Sequence, residues 1–219
     1  MVGPARLPVI IRLLDREYGR QEWEPRFPPI DELVFTILSQ NTTDVNAGRS
    51  LESLKARMPA WEDVAGARVA DIADAIRPGG LADTKARYIQ EALAGILAGQ
   101  GSLDLAFLSG MADREAIAWL TRFRGIGVKT ASCVLLFSLG RPVMPVDTHV
   151  YRVNKRLDFI SEGVSRDDAH GLMTAITPAE DVYSFHVNTV THGRRVCRAR
   201  NPRCDTCVIS ALCPSEVFE

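Results

Sequence analysis

Apolar side chains recur along the chain at intervals of three and four, and no run alternates apolar with polar as a half-buried strand would. Ile10, Leu13, Leu14 and Tyr18 form a first stripe behind Pro8. Ile30, Leu33, Val34, Ile37 and Leu38 fill the helical template after a Pro-Pro start, where the fixed φ of proline suits a first turn. Ala47, Leu51, Leu54 and Met58 follow a Thr-Thr-Asp cap at 42–44. Val69, Ile72 and Ile76 predict a short helix stopped by Pro78-Gly79-Gly80. Ile89, Leu93, Ile96 and Leu97 predict the next, ended by Gly99 and Gly101, and Ile117 and Leu120 one that runs towards Gly125. Val128 to Leu139 is apolar nearly all round, the mark of a central buried helix. Three more stripes, at Val150–Leu157, Leu172–Ile176 and Val182–Thr189, bring the expectation to about ten helices and an all-α fold.

Composition adds little at first. The 219 residues are 46% hydrophobic and 24% charged, the profile of a globular protein with a sizeable core. A net charge of -1 speaks against nucleic acid until its distribution is read. Val182 to Arg203 contains no acid but holds Arg194, Arg195, Arg198, Arg200 and Arg203, so one end of the chain is basic. Leu7–Leu14 is too short, and too interrupted by Arg12, for a secretory signal, and no apolar run reaches membrane-spanning length. An intracellular protein without a membrane partner is expected. There thiols stay reduced, and clustered cysteines point to a metal.

Three motifs carry chemistry. In Phe123-Arg124-Gly125-Ile126-Gly127-Val128-Lys129, two glycines precede a helix start. The pattern fits a plain interhelical turn, or a phosphate cradle built from exposed backbone N–H groups at a helix N-terminus. Lys129 lies in the first turn of the buried helix, where the helix dipole and desolvation should lower its pKa. Such a lysine is either a snorkelling cation or a nucleophile able to form a Schiff base. Eighteen residues on, Pro145-Val146-Asp147-Thr148-His149 places Asp147 as an N-cap. The same carboxylate could ease proton removal from an amine and stabilise an oxocarbenium-like sugar. Finally, Cys197, Cys204, Cys207 and Cys213 lie within 17 residues, a spacing open to zinc or to an iron–sulfur cluster. Cys133, on the buried helix, reads as an inert core thiol.

The joint order of FRGIGVKTA, VDTHVYRV and C-x6-C-x2-C-x5-C, with LSQNTTD at 38–44 and GLADTK at 80–85, resembles the endonuclease III family of helix-hairpin-helix glycosylases from about Ile10 to Cys213. That resemblance implies a two-lobed all-α fold: a six-helix barrel over 28–140, and a cluster lobe from 1–27 plus 141–219, with DNA across the cleft between them. It implies Lys129 as Schiff-base nucleophile, Asp147 as essential carboxylate, and the four cysteines as [4Fe–4S] ligands. It places Gly125, Gly127, Arg198, Arg200 and Arg203 at phosphates, and Asn41 and Leu81 inside the duplex. Lysine at 129 separates the chain from the related MutY adenine glycosylases. Two positions depart from the family: Arg124 stands where proline is common, and Asn41 where glutamine is usual.

The implied function is a base-excision-repair DNA glycosylase with abasic-site β-elimination lyase activity on oxidised pyrimidines in damaged duplex DNA, acting as a cytoplasmic, nucleoid-associated monomer. The rivals are a glycosylase for mismatched uracil or thymine or for alkylated bases, and a DNA-binding iron–sulfur protein that has lost turnover. The presence of both Lys129 and Asp147 argues against the second rival.

Overall fold

The computed structural model describes residues 3–215, and among them the regular structure is helical throughout, with no strand. Eleven α-helices are accompanied by six short 3-10 turns. Ten coincide with the apolar stripes. The eleventh, Trp61–Gly66, is only six residues long, and Trp61 and Val64 give it too few turns to show a period.

The chain divides into two compact units. One runs from Pro25 to Leu139, and the other joins the N-terminal segment up to Glu24 to the chain from Gly140 onward. In the first unit, α2 (Pro29–Leu38) and α8 (Val128–Leu139) pack on each other as its centre, with eight and nine buried residues respectively. Each large apolar side chain fully buried there contributes roughly 1.5–3 kcal/mol. Proline at the first position and Asp31 and Glu32 in the first turn start α2. Glu32 is fully buried but satisfied by the Arg26 guanidinium, which stacks 4.2 Å from the centre of the Phe137 ring. Around this pair stand α3 (Asp44–Arg57), capped by the Thr43 hydroxyl, α4 (Trp61–Gly66), α5 (Val69–Ile76), the long α6 (Ala82–Gln100) and α7 (Asp113–Leu120).

The second unit contains α1 (Leu7–Tyr18), α9 (Thr148–Arg156), α10 (Arg166–Ile176) and α11 (Val182–Arg195). Leu7, Ile10, Ile11 and Leu14 bury the inner face of α1, which packs on α11. Asp15 of α1 accepts hydrogen bonds from Ser184 (2.6 Å) and Asn188 (2.9 Å) of α11. Helices α9 and α11 meet at Gly193, where a Cβ would stand 2.9 Å from that of His149. No helix of the described residues is long and apolar enough to cross a membrane.

Candidate active site and metal centre

The hairpin joins α7 to α8, and its two glycines serve different purposes. Gly125 has φ +83°, and a Cβ there would lie 2.3 Å from the Tyr88 ring, so neither its conformation nor its surroundings admit a side chain. Gly127 has no such constraint: its φ is ordinary and nothing stands within 4 Å of its would-be Cβ. Of the two, only Gly125 takes the positive φ of the turn. Gly127 is exposed and precedes α8, whose first N–H groups have no acceptor within the helix. Behind them Lys129 is half-buried, and the Cys133 thiol, one turn further on, lies against its amine. Burial pushes the Cys133 pKa up, an effect the neighbouring Lys129 partly opposes.

Two further loops belong to the same unit. Gln40 donates to the Gly125 carbonyl at 3.1 Å, fastening the loop after α2 to the hairpin. Helix α2 ends at Leu38 with Ser39 as its cap, and Asn41 lies beyond it, exposed, at φ +54°. Leu81 follows Gly80 (φ +70°), takes φ +50° itself, and is 58% exposed. Left-handed backbone at a leucine is a real outlier. Arg124 is exposed, its guanidinium 5.9 Å from the centre of the Tyr88 ring.

In the other unit Asp147 caps α9. Its Oδ1 accepts the N–H groups of His149 (2.8 Å) and Val150 (2.7 Å), so both cap bonds use one oxygen. The preceding segment is pinned from α10, where Thr174 accepts the Met144 N–H at 2.9 Å and His170 Nδ1 accepts that of Val146 at 3.1 Å.

Cys197, Cys204, Cys207 and Cys213 line one cavity of about 60 Å³, together with Val153, Leu157 and His192. Four thiols lining one cavity are a donor set for a thiolate-held metal centre. The charges agree. Burial pushes the Cys207 thiol up to about 11, so a thiolate there needs a bound cation. Arg156 donates to Cys197 Sγ at 3.2 Å and to the Arg198 carbonyl at 2.7 Å, and Arg152 donates to the Cys197 carbonyl at 3.0 Å. His192 Nε2 stands 3.5 Å from Cys207 Sγ, and Tyr18 Oη 2.9 Å from its Nδ1. Burial holds the His192 imidazole neutral, its pKa pushed down to about 4. With a thiolate at Cys207, Nε2 carries the proton and Nδ1 accepts from Tyr18. Arg198, Arg200 and Arg203 are all exposed on this cysteine loop.

Residues 34–178 match the HhH-GPD superfamily base excision DNA repair proteins, and residues 197–213 match the iron–sulfur binding domain of endonuclease III. The chain belongs to the HhH-GPD superfamily. It is a base-excision-repair DNA glycosylase of the endonuclease III type that carries a [4Fe–4S] cluster, and the matched cluster domain runs from Cys197 to Cys213. The endonuclease III of Sulfolobus acidocaldarius is 34% identical over 183 residues, which span 83% of this chain and 79% of that one. A DNA glycosylase homologue of Arabidopsis thaliana is 39% identical over 165 residues, and there the chain spans only 56% of its relative's length. The fold of a non-covalent endonuclease III–DNA complex superposes with a TM-score of 0.83 at 25% identity, covering 98% of this chain and 97% of that one.

For this HhH-GPD glycosylase the spacing of its motifs pointed to the hairpin, the lysine, the cap and a four-cysteine metal site. It passed over Gln40, Lys85, Arg152, Arg156 and His192. Their partners are mostly main-chain carbonyls far away in sequence, which no local pattern announces.

Proposed function

We propose that this glycosylase removes an oxidised pyrimidine from damaged duplex DNA with Lys129 as nucleophile, then cuts the strand at the resulting abasic site. The observation that carries this reading is the position of Lys129: the second residue of α8, half-buried, directly behind a hairpin whose Gly127 and helix-start N–H groups lie open. Phosphate held at that helix start would bring one deoxyribose to the amine.

The Lys129 nitrogen attacks C1′ as the bond from C1′ to the base breaks, and the base leaves with the bonding pair and takes up a proton. Opening of the sugar ring sends the C1′–O4′ pair to oxygen and leaves a Schiff base. Loss of a C2′ proton then expels the 3′ phosphate, and hydrolysis frees the lysine. Asp147 is assigned the amine proton and stabilisation of positive charge on the sugar, through the carboxylate oxygen its cap bonds leave over. The cluster, when bound, ties together the loop that presents Arg198, Arg200 and Arg203, which we assign to phosphates. Exposed Asn41 and Leu81 are assigned to insertion into the duplex, offsetting roughly a few kcal/mol of unstacking.

Borohydride added during turnover on a duplex with one oxidised pyrimidine should trap a covalent protein–DNA adduct. Lys129→Gln should abolish the adduct and strand cleavage while lesion binding stays near normal. An adduct formed by that variant would move the nucleophile elsewhere. Faster release of mismatched thymine or of an alkylated base from a parallel set of duplexes would replace the substrate class.

A further inference from the structure

Lys85 is among the largest fully buried side chains of the described residues, with 1% of its surface exposed. Its ammonium donates to the Leu38 carbonyl at 2.7 Å and to the Gly79 carbonyl at 2.9 Å, and among the described residues no carboxylate pairs with it. Both acceptors sit where a helical segment ends: Leu38 is the last residue of α2, and Gly79 the last of the 3-10 turn Arg77–Gly79. Carbonyls there lack intrahelical donors and carry the negative end of the helix dipole, so they are the groups best able to hold a buried cation without a counterion.

The two carbonyls have one thing in common. Leu38 lies three residues before Asn41, and Gly79 two residues before Leu81. Asn41 and Leu81 are the exposed side chains assigned to the duplex, and both hold left-handed backbone, at φ +54° and +50°. The backbone of Lys85 completes the grip, since its N–H bonds to the Leu81 carbonyl at 3.0 Å. Gly79 is itself held against α3, where a Cβ would meet Ser50 Oγ at 2.7 Å. A residue needed only to fill space would be apolar. Desolvation lowers the pKa of Lys85, a cost that a methionine in the same place would not incur.

We propose that Lys85 is a positioning residue for base extrusion, holding the Asn41 loop and the Leu81 turn in register so that both side chains meet the duplex already ordered. The proposal rests on the assignment of those two side chains to the duplex. Preordering matters because every rotamer and loop fixed before binding is one whose ordering cost DNA does not have to offset.

The test uses full-length protein and two duplexes, one with an oxidised pyrimidine and one with a stable abasic analogue that needs no base extruded. Single-turnover base release is measured on the first and binding on the second, for Leu81→Ala, Lys85→Met and the double variant. Lys85→Gln, which keeps a donor, is measured alongside in case methionine compromises folding. Lys85→Met should slow base release about tenfold and change abasic binding less than about twofold, the split expected of lost support for unstacking. Lys85→Gln should fall in between. Leu81→Ala should cost clearly less in the Lys85→Met background than alone, a coupling that general destabilisation would not produce. Independent effects, or equal losses on both duplexes for the lysine variants, would overturn the proposal. If Leu81→Ala itself fails to separate the two duplexes, the duplex-insertion reading is what fails. If Leu81→Ala separates them and the lysine variants do not, only the role of Lys85 falls.

Discussion

Gly125 packs directly on the ring of Tyr88, with no room for a single methyl group between them. Gly125→Ala must therefore displace either the ring or the hairpin, and it adds a residue at φ +83° that costs roughly 1–3 kcal/mol. Its melting temperature should fall by about 5 °C or more and its affinity for any duplex should drop. Gly127→Ala has open space and an ordinary φ, so its melting temperature should stay near wild type while DNA binding weakens. Thermal unfolding read beside DNA titration separates them, and equal melting temperatures would contradict the packing account.

Asp147 combines a cap with an assigned catalytic role, and two substitutions divide these. Asp147→Ala removes the acceptor for His149 and Val150 and should cost about 1 kcal/mol of stability. Asp147→Asn keeps an acceptor oxygen but not the negative charge. It should unfold near the wild-type temperature yet release base at least about tenfold more slowly, in the range typical of a lost acid–base group. A normal rate in Asp147→Asn would leave the residue only its cap.

Purified protein should be yellow-brown and contain about four irons per chain, as thiolate-held [4Fe–4S] requires. Cys204→Ser should lose iron and disorder the loop that Arg152 and Arg156 hold through Cys197 and Arg198. Amide hydrogen exchange should rise over 197–213 and stay low in α2 and α8, which belong to the other unit. Stoichiometric zinc in anaerobically prepared protein would remove the cluster.

A chain with net charge -1 should still bind DNA in a steeply salt-dependent way, because Arg198, Arg200 and Arg203 are exposed together on one loop. The log–log slope should be near -0.9 per phosphate neutralised, and Arg198→Gln or Arg203→Gln should each make it shallower by about one such increment. An unchanged slope in both would place the contacts elsewhere.

Burial lowers the pKa of Lys85 below its ordinary 10.5, and the sign of the consequence is fixed. Between the folded and unfolded pKa values the unfolded chain binds the extra proton, so the contribution of this group rises with pH and is lost as pH falls through the folded value. Chemical denaturation between neutrality and about pH 10 should show wild type gaining stability relative to Lys85→Met. A constant difference would mean that the amine titrates alike in both states.

The sequence by itself determined the elements and much of the chemistry. Ten helices were legible because each buries one face, and a face repeats every three to four residues. The hairpin, the Asp147 cap and the cysteine loop were legible because each is built within a few neighbouring residues. Only the tertiary structure decided why Gly125 and not Gly127 must be glycine, since the reason is the Tyr88 ring on another helix. It alone brought four cysteines spread over 17 residues round one cavity with Val153, Leu157 and His192. It also decided that Lys85, one more lysine in a polar helix start when read along the chain, is buried between two carbonyls. Periodicity records which face of an element is buried; it does not record which distant backbone group will be waiting there.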